Sequence, residues 1–276
     1  MKQRRLVAAI VAVIWASAAS AQEPNWRFNW QKGQVLTYKA EHKTSVEEVI
    51  EKSKVVTGSK LSVVKRWEVV EVDAKGTAVL RLSLTAMRNE QIRPNGETLL
   101  FDSAELDKSS PELRDQMSKY IGQTLAVLSV DSQGRVLDVK QGSAARYEAE
   151  PPFAVVVPPA PAQVNQGWLR PYGVTLDPPY GAGEKYEAKQ SIKCTNIAAG
   201  KATLTIANQF AKMPENVKDH VPLIQKMAEG QATFDLQAGR VIDVQLNIDR
   251  TLTNHHGEGS SYRFQSSFSE KLIDAR

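Results

Sequence analysis

Cysteine is almost missing from this chain of 276 residues: Cys194 stands alone. One thiol can form neither an intrachain disulfide nor a multi-cysteine metal site. It falls in an alternating stretch, Tyr186 to Ala198, where it reads as a buried, inert packing residue. Histidine is scarce as well, at four, and aromatic residues make up only 7%. Neither sign of charge dominates, since 35 Lys and Arg against 31 Asp and Glu give +4. No basic stripe marks a nucleic-acid partner. Beyond residue 21 no apolar run approaches the roughly 20 residues that a membrane span needs.

Recognisable catalytic signatures are missing too. There is no G-x-S-x-G elbow, no H-E-x-x-H, no phosphate-cradling glycine loop and no dinucleotide fingerprint. The best metal candidate is the loop Thr253–Ser260, with His255, His256 and Glu258. Adjacent histidines on an extended segment point to opposite sides, so this reads as a polar hairpin loop, and no metal or other cofactor is assigned. The carboxylate groups Glu47-Glu48 and Asp102, Glu105 and Asp107 read as solvated surface. Asp138 and Asp243, which recur beside Arg135 and Arg240, read as structural groups of hairpins. No catalytic residue is assigned, and the expectation is a protein that is not an enzyme.

What the chain does have begins at its start. Lys2, Arg4 and Arg5 precede an apolar stretch from Leu6 to Ala16, then Ser17-Ala18-Ala19-Ser20-Ala21. A basic region, a short apolar region and small residues at Ala19 and Ala21 have the layout of a cleavable signal peptide over 1–21. Its removal takes three basic groups from the +4 and leaves +1. No cysteine follows at the cleavage point for lipid attachment. The expected product is exported, periplasmic or extracellular, and soluble, with no transmembrane segment.

The remainder reads as mainly antiparallel β. Ile242, Val244, Leu246 and Ile248 alternate with polar residues, and so do Tyr262, Phe264 and Phe268, and Leu36, Tyr38 and Ala40. Alternation with one polar face means sheet with one wet side. Ala74–Leu82 can be laid on Ala198–Ile206, and Gln133–Val139 on Ala238–Val244, with a helix candidate between each pair. The helices are Pro111–Tyr120, started by Ser110, and Pro214–Ala228, kinked or broken at Pro222. Asn89–Ser110 is extra in the first copy. The expected fold class is α+β, with two similar halves, each a curved meander with one inserted helix, half-barrel or sandwich-like. The boundaries are a first half over 22–147, a Pro-rich linker over 148–167 lying along the protein surface, and a second half over 168–276.

Trp30-Gln31-Lys32-Gly33 with Leu36 and Tyr38 opens the first half, and Pro158-Pro159, Pro161, Gly167 and Trp168 open the second. With the Gly-Thr-Ala and Gly-Arg-Val turns, these motifs resemble a family of secreted bacterial proteins of unknown function. In architecture alone the pattern is similar to periplasmic lipoprotein carriers, whose half-open barrels hold acyl chains. Fold-level likeness does not transfer function. The aromatic residues Trp26, Trp30, Tyr38, Trp168 and Tyr172 either anchor the two openings to the core or line a groove for an apolar ligand. The readings carried forward are an exported binding protein for an apolar ligand or lipid, an interaction module that meets an envelope protein, and, third, a hydrolase assembled from distant residues.

Overall fold

The computed structural model describes residues 26–178 and 180–276, so the signal-peptide expectation over 1–21 lies outside the described residues. Twelve strands form one antiparallel sheet. They are β1 (Val35–Ile50), β2 (Ser53–Val72), β3 (Ala78–Ile92), β4 (Thr98–Asp102), β5 (Thr124–Val130), β6 (Val136–Gln141), β7 (Gly167–Leu176), β8 (Glu184–Ala198), β9 (Lys201–Phe210), β10 (Glu229–Asp235), β11 (Arg240–Thr253) and β12 (Ser261–Ala275). Across the sheet they run β6-β5-β3-β2-β1-β12-β11-β10-β9-β8-β7, with β4 added beside β3. First and last strands pair over almost their whole lengths, from Leu36 opposite Ala275 to Val49 opposite Ser261. The sheet therefore passes between the two parts of the chain without a break. The Asn89–Ser110 insertion supplies the end of β3, all of β4 and a 3-10 turn at Leu106–Lys108.

The alternating residues do what period two requires: even positions of β1 (Leu36, Tyr38, Ala40) are buried and face inward. Bulges interrupt the pairing at Thr37/Tyr38, Val64/Lys65 and Leu82/Ser83, and each adds local twist and bend. The sheet curls until inward residues from opposite flanks share one core, with Ala126, Leu128 and Val130 of β5 packed in the same cluster as Ile192 and Cys194 of β8.

That core is not filled by the sheet alone. The Pro-rich linker, expected along the surface, runs through the interior: Phe153, Val155 and Val157 are 2%, 0% and 1% exposed. Proline cannot donate to a ladder, so the segment crosses the concave side instead of adding a strand. Side chains of the walls receive its carbonyls, with Trp168 Nε1 donating to Val156 O at 2.7 Å and Gln190 Nε2 to Ala154 O at 3.0 Å. Only Pro159, Ala160 and Pro161 of its proline cluster are exposed. The N-terminal stretch, with Trp26, Phe28 and Trp30 buried, fills the space beside it.

Two hairpin turns clamp this N-terminal stretch. Phe28 N donates to Ser132 O in the β5–β6 turn, and Asn29 N to Gly239 O in the β10–β11 turn. At Gly134 a Cβ would come within 2.5 Å of the Phe28 ring, and at Gly239 within 2.6 Å of Arg27 O. Both glycines also have positive φ, so two requirements fall on the same positions. The hairpin carboxylates are Asp131 and Asp235, whose Oδ1 atoms accept backbone N–H groups two to four residues on. Asp138 and Asp243 lie on the strands β6 and β11 of the same hairpins, opposite Ser129 and Thr233.

Helices are short. The first, α1 (Pro111–Met117), continues as a 3-10 turn to Tyr120, as the pattern implies. An unanticipated helix, α2 (Ala144–Ala149), takes the first two residues assigned to the linker, and Ser143 Oγ caps it by accepting from Arg146 N. In place of one helix over Pro214–Ala228 there is a 3-10 turn, Val217–His220, and then α3 (Val221–Ile224). Pro222 sits in the first turn of α3, where no helical N–H is missed. No helix among the described residues is long and apolar enough to cross a membrane.

Candidate functional site

Outward from the filled core, β1, β2 and β12 extend well beyond the plug. Their inner face carries a row in which Leu61, His42 and Phe268 are neighbours across the three strands. Val46 and Phe264 form a second pair nearer the rim. Leu61, Met87, Val46 and Phe268 are half-buried, unlike the fully enclosed core residues below them. On one side they meet Ile121 and the α1 cluster of Leu99, Phe101 and Leu113. On the other stand Ile224, Met227 and Ala228 of the α3 segment. The arrangement is an apolar strip flanked by two helical segments.

Polar groups interrupt this strip over successive inward rows, at His42, at Glu270 opposite Ala40 and at Lys65 opposite Tyr38. His42 Nε2 lies 2.8 Å from Ser266 Oγ, and the ring meets Phe268 edge-on at 6.0 Å. Burial holds the His42 pKa below its ordinary value, and the nearby Lys226 and Lys65 add to this against the opposing charge of Glu150. Lys65 Nζ lies 2.8 Å from Glu270 Oε1, near enough for an ion pair although not aligned for a hydrogen bond. Glu150 pairs with Lys226 at 2.6 Å. Desolvation opposes its ionisation, but Lys226, Arg146 and Lys65 together hold the carboxyl below the usual carboxylate range. The Glu150 and Lys226 side chains remain 49% and 40% exposed, so that ion pair contributes little to stability, whereas the Lys65–Glu270 pair is largely enclosed, with side chains 20% and 4% exposed.

Arg170 of β7 closes the gap between the unpaired edges β6 and β7. Its two terminal nitrogens donate to Glu148 O and Ala149 O at 2.9 and 2.7 Å, at the C-terminal end of α2, and Nε donates to Gln190 Oε1 at 3.2 Å. Burial lowers its pKa to about 10, still far above neutrality. Tyr172 stacks beneath the guanidinium at 4.3 Å.

The five aromatic candidates divide accordingly. Trp26, Trp30 and Tyr38 lie in the filled interior, where Phe153 sits 5.6 Å from Trp30 and 5.7 Å from Tyr38. Trp168, half-buried, meets Trp26 edge-on at 5.7 Å. Tyr172 stands apart, packed near Val174 and Leu223. Tyr38 donates its hydroxyl to Val241 O at 2.7 Å, and its phenol pKa is driven up by burial and by Glu270. Cys194 is fully buried, and its thiol is pushed up by desolvation. The inner-face row of Leu61, His42 and Phe268 escaped sequence reasoning because it depends on pairing β1 with β12, more than 200 residues apart. The one local signal was their parity, shared with the core residues of the same strands.

Two surface depressions open mainly between outward positions of the sheet, although Met227 and Ser266 also line the first. One of about 590 Å³ is lined by Lys43, Ser45, Asn247, Asp249, Gln265 and Ser267, the outward positions of β1, β11 and β12. Another of about 480 Å³ is lined by Gly167, Leu169, Ser191, Thr205, Ala207 and Gly230 on the outer face of β7–β10.

No family model and no curated protein matches the chain. Among solved structures, lipovitellin, described for its lipid–protein interactions, is similar at 9% identity and a TM-score of 0.49, with 90% of this chain covered. The chain spans about a quarter of the lipovitellin length, at 26%. DynF from the dynemicin biosynthesis pathway of Micromonospora chersina matches at 8% identity and a TM-score of 0.20, covering 98% of this chain and 92% of that one. An outer membrane channel from Pseudomonas putida F1 matches at 7% identity and 0.25, covering 92% and 100%. Likenesses this weak carry no inference for the chain.

Proposed function

We propose that this is an exported, non-enzymatic binding protein that seats an apolar ligand or lipid chain on the inner face of its curved sheet. The observation that supports this is the strip of Val46, Leu61, Met87 and Phe268, half-buried where the same face farther along the strands is closed by the Pro-rich linker and the N-terminal stretch. The solvent-exposed pair of Lys226 and Glu150 beside it suits the polar end of an amphiphile. Export rests on the signal layout of residues 1–21. The test is displacement of a hydrophobic dye, with native mass spectrometry against a long-chain fatty acid. Wild type should bind both, and Leu61→Glu should weaken binding at least about tenfold, the loss expected when a buried charge replaces a full apolar contact, with an unchanged circular dichroism spectrum. Absence of binding by the wild type would overturn the proposal.

A second reading, an interaction module of the envelope, draws on the outer depression beside Leu169, which is 64% exposed. The proline cluster does not add to that reading, because only Pro159, Ala160 and Pro161 of it are exposed. Capture of an envelope protein that Leu169→Glu abolishes would favour this second reading over the first.

A further inference from the structure

At the rim, far along β1 from the plug, the β11–β12 loop folds back over the strand end. Asn254 takes positive φ, as do Gly257 and Gly259, so the loop is curled rather than extended. Its own hydrogen bonds hold that shape: Asn254 N to Ser260 O at 2.7 Å, His256 N to Ser260 Oγ at 2.9 Å, and Ser260 Oγ to Gly257 O at 2.7 Å. The curl defeats the expectation that neighbouring histidines diverge. The rings of His255 and His256 stand 4.6 Å apart, centroid to centroid, at 73°. Glu258, the carboxylate nearest in sequence, is exposed and outside the cluster, whereas Glu48 of β1 reaches it from the facing strand.

We propose that Glu48, His255 and His256 form a binding site for an imidazole-preferring divalent transition metal of the zinc class. Ligand atoms from the three residues lie within 4.8 Å of one another. Ligands about 2.0–2.2 Å from a tetrahedral zinc stand about 3.3 Å apart, so modest side-chain rotation brings them to coordination distance. Glu48 and His256 are free to make that movement, being half-buried and exposed respectively. A second observation is independent of this spacing. The His255 side chain is 1% exposed and its Nε2 lies 2.8 Å from Glu48 Oε1, yet Nδ1 is buried with no hydrogen-bond partner among the described residues. A buried imidazole nitrogen without a partner is a cost that a plain structural contact leaves uncompensated; a metal held by Nδ1 would compensate it, whereas one held by Nε2 would displace the hydrogen bond to Glu48. Two imidazoles and one carboxylate also leave a coordination position open, and the donor set favours zinc, copper or nickel over calcium or magnesium. Bound metal would tie the hairpin loop to β1 and stiffen the rim.

The experiment is calorimetric titration of tag-free, chelator-treated protein with zinc chloride alone, with Tm read in parallel. The expected result is one equivalent bound and a higher Tm with zinc. His256→Ala leaves the Glu48–His255 hydrogen bond in place, so its metal-free Tm should match wild type while its zinc affinity falls at least about tenfold. Copper(II) bound to wild type should give a paramagnetic resonance spectrum with two imidazole nitrogens, reduced to one in the variant. Failure of wild type to bind, or equal binding by His256→Ala, would overturn the site and leave the contact a structural hydrogen bond. Either result is independent of lipid binding at the inner face.

Discussion

His42 illustrates how a side chain acquires a property from its neighbours. An ordinary imidazole titrates near 6.5, but burial against Phe268 and Leu61 lowers the folded value. The unfolded chain then binds the proton at a higher pH than the folded one. Stability from the neutral ring is fully present above about pH 6.5 and is lost as pH falls through the lowered folded value. We therefore predict that the urea midpoint of the wild type falls between pH 7.5 and pH 5.5 by more than that of His42→Gln. Equal falls in the two proteins would show that other groups account for the acid sensitivity. Nothing in the sequence around His42 announces this behaviour, since its alternation is that of any strand residue.

At the scale of an element, α2 is the least self-sufficient. Six residues are too few for a stable isolated helix. Its position depends on Arg170, which bonds the carbonyls of Glu148 and Ala149 at the C-terminal end, where a cation also meets the favourable end of the helix dipole. Replacing it with Met keeps volume but removes these charged hydrogen bonds, and the expected loss is about 1–3 kcal/mol in urea denaturation. Amide exchange over residues 144–150 should rise more than in β1 or β12. Uniform exchange across those regions would mean that α2 is held by packing alone. Helix α1 was legible because Ser110-Pro111 marks its start, whereas α2 has no periodic apolar stripe and is defined by the strand edges it bridges.

For the molecule as a whole, the two parts of the chain share one core. Phe153 packs its ring against Phe28, Trp30, Tyr38 and Trp67 at 5.4–5.7 Å, and the cluster continues into β8, β9 and β10. The inward apolar residues of the two parts pack into that one cluster. The intact protein should therefore unfold in one transition, with tryptophan fluorescence and far-ultraviolet dichroism coinciding. Each part expressed separately should bind a hydrophobic dye and lack a cooperative transition. A sharp transition in either fragment would instead establish an independent domain.

Alternation along β1, β11 and β12 was enough, from sequence alone, to imply antiparallel sheet, because side-chain period two is a local property of an extended backbone. Ser110-Pro111 likewise specified a helix start, and the repeated Gly-Arg-Val marked two turns. Positive φ is a local reason for glycine in those turns, and tertiary structure added the second, since the residue each approaches belongs to the N-terminal stretch that passes between them. It also decided where the Pro-rich segment goes: inability to join a ladder is a local fact, but the interior became available only when the sheet curled. Glu48 and His255 met for the same reason. They lie 207 positions apart in sequence and become neighbours because the first strand pairs with the last.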